Sequence, residues 1–227
     1  LLNHYDIRTK CVSYHKFNEK ERVDYFLELL NEGKKIALVS DAGTPLFCDP
    51  GAVIVEELRK HNFSVTSLAG ANAVATFLSQ VPREGEDFTF IGFLPKTKTQ
   101  IENLLKTYKS TDIVFYDSPN RILNTLDIIK EIRPNSKVAI GRELTKVFEE
   151  IVIDSAENII EHFKNNILKG EIVGMIFAED STEFDEIAIK NDIKTLKKQG
   201  FSAKDISKIL SSLKNLPKNK IYELAKD

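Results

Sequence analysis

The chain has 227 residues, 42 % of them hydrophobic, enough to bury a substantial core. Its 32 basic and 34 acidic residues leave a formal net charge of −2, so nucleic-acid binding requires a local patch rather than a global field. Cys11 and Cys48 fit no metal-ligand spacing and no disulfide scaffold. They read as buried small hydrophobes of a protein in a reducing cytoplasm. No metal site is expected, and no apolar run approaches the ~20 residues of a bilayer crossing.

The opening Leu1-Leu2-Asn3-His4-Tyr5 reads as the last turn of a helix whose beginning is absent, as though the chain started inside a domain. Cys11-Val12-Ser13-Tyr14 reads as a short strand, and Asn18 as the cap of a helix with Val23, Phe26, Leu27 and Leu30 on one face, ended by Gly33. Residues 35–40 (KIALVS) form an apolar strand, 51–61 a helix, 63–68 a strand and 71–79 an apolar helix. This β-α-β-α-β-α order predicts a mostly parallel sheet with right-handed crossovers. The polar stretch Val81-Pro-Arg-Glu-Gly-Glu-Asp87 marks a domain boundary, giving an N-terminal α/β domain over 1–84. A second α/β domain over 85–180 has strands at 88–93, 112–116, 137–141, 148–153 and 171–177, with helices near 98–108, 119–132 and 156–166. The tight connection between the third and fourth of these strands predicts antiparallel pairing. From Glu183 the sequence is helical, with new helices starting at Ser202 and near Pro217, so 181–227 is a C-terminal helical segment. From Lys190 onward ten lysines stand against Asp192, Asp205, Glu223 and Asp227, and ten minus four leaves +6 in an otherwise acidic chain.

The segment Leu38-Val39-Ser40-Asp41-Ala42-Gly43-Thr44-Pro45-Leu46 carries the most chemical information. A strand running into small residues presents backbone at its carboxyl end, where open α/β sheets bind ligands. Gly43 admits close approach, and Asp41 accepts bonds from a donor-rich group. A second such turn, Ser67-Leu68-Ala69-Gly70-Ala71-Asn72-Ala73, would share the same sheet edge and wall a common pocket. There is neither GxGxxG nor GxxxxGK[ST], which argues against nucleotide di- or triphosphates as ligands.

The ordered segments LVSDAGTPLFCDPG, FIGFLPKTKT, IVFYDSPNRILNTL, GRELTKVFEE and KGEIV resemble the ribosomal RNA small subunit methyltransferase I family, of the tetrapyrrole methylase class. The resemblance implies two α/β domains with a cleft for S-adenosylmethionine between them, a C-terminal helical extension, and a cytoplasmic homodimer. The implied reaction is methylation of the 2′-hydroxyl of a cytidine in 16S ribosomal RNA, with the small ribosomal subunit as partner. It also implies cofactor contacts from Asp41, Ala42, Gly43, Thr44 and Pro45, from Asn72 and Ala73, and from Leu144 with the strand around Val173 to Ile176. Three departures stand out. Ala69-Gly70-Ala71-Asn72-Ala73 replaces Pro-Gly-Pro-Ser-Ala, Asn120 replaces a histidine, and the family's opening strand with its Thr-Pro-Ile-Gly-Asn turn is expected before Leu1.

Transfer of a methyl group to a ribose hydroxyl requires alignment and loss of a proton. The candidate charged cluster is Arg142-Glu143-Leu144-Thr145-Lys146, with Lys146 as base if desolvated, Arg142 on a phosphate, and Glu143 in catalysis or in a structural ion pair. His15 is a further candidate, read more readily as a strand-end histidine. Lys96, Lys98, Arg121 and the C-terminal lysines are candidate phosphate contacts. Two other functions fit less of the pattern: a tetrapyrrole-precursor methylase with a wide apolar cleft, and a non-catalytic RNA- or ribosome-binding protein.

Overall fold

The computed structural model describes residues 2–83, 85, 87–165, 168–179, 186–214 and 216–226. Its three N-terminal helices are α1 (Glu19–Asn31), α2 (Ala52–Lys60) and α3 (Ala73–Leu78). Then come β1 (Phe88–Phe93), α4 (Lys98–Thr107), β2 (Asp112–Asp117), α5 (Ile122–Ile132), β3 (Lys137–Arg142), β4 (Glu150–Ser155), α6 (Ala156–Lys164) and β5 (Ile172–Ile176). Helices α7 (Glu186–Lys198), α8 (Ala203–Lys214) and α9 (Lys218–Lys226) close the chain.

The five strands expected in the second half all form, in the order β1-β2-β5-β3-β4. β1 and β2 are parallel, whereas β5 runs antiparallel to both β2 and β3, and β3 to β4. Alternation along each strand sorts side chains onto two faces. Ile113 and Phe115, Val138 and Ile140, and Ile172 and Ile176 join a core with α4, α5 and α6. Val114, Ala139, Val173 and Met175 face the other way, onto Val74 and Phe77 of α3. Phe77 is fully buried there, and a Cβ at Gly141 would lie 2.7 Å from its ring. A bare backbone at Gly141 is what lets α3 sit down on the sheet.

The first half differs from expectation. Residues 11–14, 35–40 and 63–68 form no β-ladder, so the parallel sheet expected there is absent among the described residues. A strand is held by a neighbour's backbone groups, and no described segment supplies them to these runs. Their apolar side chains remain open, with Val39 61 % and Leu68 84 % exposed. The chain there is organised instead by helices, α1 packing on α2. Glu19, in the first turn of α1, accepts a 2.6 Å bond from the Gly51 N–H at the start of α2. Asn18 does not cap α1 with its side chain: its Oδ1 accepts from His15 N at 2.8 Å and its Nδ2 donates to Ser13 O. Both cysteines are exposed, not buried, because Cys11 lies outside any packed element and Cys48 sits in the loop before α2.

The three C-terminal helices enclose their own small core of Ile189, Ile193, Ile206, Leu210, Ile221 and Ala225. Ser202 accepts from Asp205 N at 3.2 Å, the expected cap of α8, and Pro217 O accepts from Lys220 N in the first turn of α9. The expected helical onset at Glu183 lies outside the described residues. Among the described residues no helix is long and apolar enough to cross a membrane.

Candidate cofactor-binding site

The two small-residue turns meet. Thr44 Oγ1 donates to Ala71 O at 2.9 Å, and a Cβ on Gly43 would stand 3.6 Å from the same carbonyl. Ser40 Oγ reaches the carbonyl oxygens of Ala42 and Gly43 at 3.2 and 3.0 Å, tightening the first turn. In the second turn Asn72 Oδ1 accepts from Ala75 N at 3.1 Å and caps α3, with Ala73 as its first helical residue. Asp41 is exposed and makes no ion pair among the described residues, leaving its carboxylate able to accept from a ligand. Leu46 and Cys48, just beyond, have φ of 68° and 69°, left-handed conformations that side chains adopt at a cost and that concentrate at ligand-binding loops.

Aromatic rings tie this loop to the sheet. Phe47 stacks on Phe90 of β1 with centroids 4.9 Å apart, Phe90 meets Tyr116 of β2 edge-on at 5.1 Å, and Tyr116 meets Phe93 at 5.7 Å. Gly92, with φ of 67°, brings β1 to within 3.4 Å of Cys48 Sγ, measured from the place its Cβ would take. The Tyr116 phenol is pushed up to about 12 by burial, then by the Cys48, Asp49 and Glu171 charges, against a bond from the Val74 backbone. It stays a neutral hydroxyl between the 48–49 loop and the N-terminus of α3.

The β3–β4 connection holds the charged cluster. Arg142 places Nε and Nη2 at 3.2 and 3.0 Å from Glu150 Oε2, whose other oxygen lies 2.6 Å from His162 Nε2. Burial works to raise the Glu150 carboxyl, but the His162 and Arg142 bonds outweigh it and leave it lowered. Glu143 and Thr145 have φ of 50° and 65°. Glu143 N donates to Glu171 O at 3.0 Å, and Glu143 Oε1 accepts from Glu171 N at 2.9 Å. Lys146 Nζ bridges Glu143 at 2.9 Å and Glu171 at 3.1 Å, and these bonds raise the lysine and lower Glu143. Leu144 turns inward and packs against the cluster that includes Val74, Phe77 and Val173. Among the described residues no group of three or more His, Cys, Asp or Glu could hold a metal ion.

Residues 2–160 match the family of tetrapyrrole (corrin/porphyrin) methylases. The chain is 35 % identical to the ribosomal RNA small subunit methyltransferase I of Halalkalibacterium halodurans, covering 99 % of this chain and 80 % of that protein. It is 38 % identical to the protein of the same name from Thermotoga maritima, covering 79 % and 82 %. The chain belongs to the ribosomal RNA small subunit methyltransferase I family. Solved structures agree on the fold: diphthine synthase superposes with a TM-score of 0.56 at 12 % identity over 77 % of this chain and 72 % of that one. A cobalt precorrin-4 methyltransferase superposes with a TM-score of 0.54 at 16 % identity over 74 % and 73 %.

As a member of this family, the chain is a methyltransferase that uses S-adenosylmethionine. The residues that the family resemblance assigns to the cofactor fall in two groups. Asp41 to Pro45 meet Asn72 and Ala73 through the Thr44 to Ala71 bond, and Leu144 reaches the α3 cluster from the other side. Of the charged candidates, Arg142 is committed to Glu150 and Lys146 to two carboxylates, so neither stands open as drawn from sequence. Arg121 donates to Leu94 O and Pro95 O at 2.9 and 3.1 Å, and Lys98 pairs with Glu131. Both are engaged within the protein, whereas Lys96 is exposed and makes no ion pair among the described residues. His15 shares with Asn18 the turn before α1, its N–H bonded to the Asn18 side chain. The aromatic run from Phe47 to Phe93 was not legible beforehand: each ring reads as an ordinary strand or loop apolar residue, and only the tertiary approach of the 44–51 loop to β1 joins them.

Proposed function

We propose that this chain transfers a methyl group from S-adenosylmethionine to the 2′-hydroxyl of a cytidine in 16S ribosomal RNA, as a cytoplasmic homodimer acting on the small ribosomal subunit. On this reading 1–84 and 85–180 are the two lobes of the cleft and 181–227 is an appended helical segment. The observation that carries it is the meeting of the Gly43 and Gly70 turns through the 2.9 Å bond from Thr44 to Ala71. That contact sets small, exposed backbone near an Asp41 carboxylate that makes no ion pair among the described residues, a surface suited to a ligand with ribose hydroxyls and a charged amino-acid end.

Asp41, the backbone of Ala42 to Pro45, Asn72, Ala73 and Leu144 hold the cofactor. When bound, S-adenosylmethionine supplies an electrophilic methyl group with a neutral sulfide as leaving group. The protein's share is to hold the acceptor oxygen in line and to keep competing water out. Lys146, raised by its two carboxylates, is an ammonium at neutral pH that ties the β3–β4 connection to Glu171 and does not serve as the base. Glu143, lowered by Lys146 and the Glu171 N–H, holds that ammonium, and Arg142 fixes the strand end through Glu150.

The test is methyl transfer to small-subunit particles lacking the modification, followed by alkaline hydrolysis of their RNA. A 2′-O-methyl group removes the nucleophile of alkaline cleavage, so the label is expected in a dinucleotide resistant to alkali with cytidine at its 5′ side. Label in an alkali-labile mononucleotide would place the methyl on a base and overturn the ribose assignment.

A further inference from the structure

Strand β1 ends on a ring that the fold holds out to solvent. Phe93 is 58 % exposed, yet it rests edge-on against Tyr116, which continues through Phe90 to Phe47 in the loop after the cofactor turn. The register of β1 against β2 shifts between Phe90 and Phe93, with Gly92 in the left-handed region, so this strand end is re-aimed by an irregularity of the bulge kind.

The turn that follows is clamped. Arg121 donates to Leu94 O and Pro95 O and lies 3.5 Å from Asp117, while the buried Asp117 accepts from Thr125 Oγ1 at 2.6 Å and from Ser118 N at 2.8 Å. An exposed aromatic ring on so well-fixed a support loses little freedom when a partner covers it. Three residues on, Lys96 is exposed and makes no ion pair among the described residues.

A ring of this kind, three residues before an exposed cation, matches what an unpaired nucleotide offers: a flat base to stack on and a phosphate next to it. We propose that Phe93 is a stacking platform for an unstacked base of the RNA substrate, with Lys96 holding an adjoining phosphate. The proposal rests on the reading of this chain as a ribosomal RNA methyltransferase and adds the surface that grips the RNA. The Phe47–Phe90–Tyr116–Phe93 run then makes one continuous wall from the cofactor loop to the acceptor strand.

Filter binding of small-subunit particles lacking the modification, over a salt series, tests this with the wild-type chain, F93A, F93Y, F93L and K96A. F93A is expected to weaken binding roughly 5- to 150-fold, the range for loss of one base stack, without changing the salt slope. F93Y should bind as the wild type does, and F93L as poorly as F93A, since leucine keeps apolar area but has no π face. K96A should lower the salt slope by about one, the signature of a lost phosphate contact. S-adenosylmethionine affinity of F93A by calorimetry should match that of the wild type.

Normal particle binding by F93A, full binding by F93L, or loss of cofactor affinity in F93A would each overturn the platform. A shift of F93A to a smaller sedimenting species would overturn it too, by making this face a contact between protein chains. If the wild-type chain neither binds nor methylates the particles, the rRNA reading itself falls and takes the platform with it. Methylation by the wild type alongside normal binding by F93A removes the platform alone.

Discussion

Two apolar runs of similar composition meet opposite fates in this protein. Residues 112–117 (DIVFYD) become β2, with Ile113, Val114 and Phe115 fully buried, whereas 35–40 (KIALVS) form no ladder and leave Val39 open to solvent. β2 is flanked by β1 on one side and β5 on the other, and both of its faces are covered, by α3 and by the α4–α6 layer. The 35–40 run has no such neighbour among the described residues. Strand propensity describes how well a residue fits a pleated, half-buried surface, and without that surface it has nothing to act on.

The link between the two regions is α3, and its removal should have the largest effect. Phe77→Ala empties the centre of the α3 face and is expected to cost about 3–5 kcal/mol in urea unfolding, with the cofactor turns losing their support. A smaller cost would mean that α3 is not anchored on the sheet. A matched pair then measures the contrast itself. Ile113→Ala, at a fully buried site, should cost about 2–5 kcal/mol, and Ile36→Ala, at an exposed one, no more than about 0.5 kcal/mol. Equal costs would show that the 35–40 run is packed in solution.

Thr44→Val removes the hydrogen bond from Thr44 to Ala71 that joins the two turns and should cost about 1 kcal/mol of cofactor binding, roughly a fivefold rise in Kd by calorimetry. An unchanged Kd would separate the bond from the binding surface. The mildest effect is spectroscopic. Tyr116 is raised to about 12, mainly by burial, and Tyr14 likewise, by burial and the Glu19 charge. With folded values above the unfolded one near 10, the stabilisation is complete below about pH 10 and is lost as pH climbs through about 12. Two of the six tyrosines should therefore ionise late in a 295 nm titration. Six ionising together near pH 10 in the folded protein would contradict the burial of both rings.

What could be read from the chain beforehand follows the same division. All five strands of 88–177 were placed to within a few residues, because each alternates and each finds partners that satisfy the pattern. The meeting of the Gly43 and Gly70 turns was legible too, as small residues following apolar runs, even though those runs form no ladder. Charged side chains were harder. Arg142 looks available in GRELTK, but β3–β4 register sets it directly opposite Glu150, eight residues on. Lys146 looks like a base until Glu171, from a segment 25 residues away, arrives beside it. Tyr116 lay inside a recognisable motif, but its place between the 48–49 loop and α3 is a long-range outcome that local pattern does not encode.

The Glu143 carboxylate owes its position to an atom that does not exist. Gly170, just before β5, has φ of 95°, and a side-chain carbon there would fall 2.2 Å from Glu143 Oε1. Even alanine at position 170 would displace the Glu143 side chain and loosen its hold on the Lys146 ammonium and the Glu171 N–H. A residue with no functional group thus acts as gatekeeper for three that have one, and a mutational scan should find position 170 less tolerant than the charged positions it shelters.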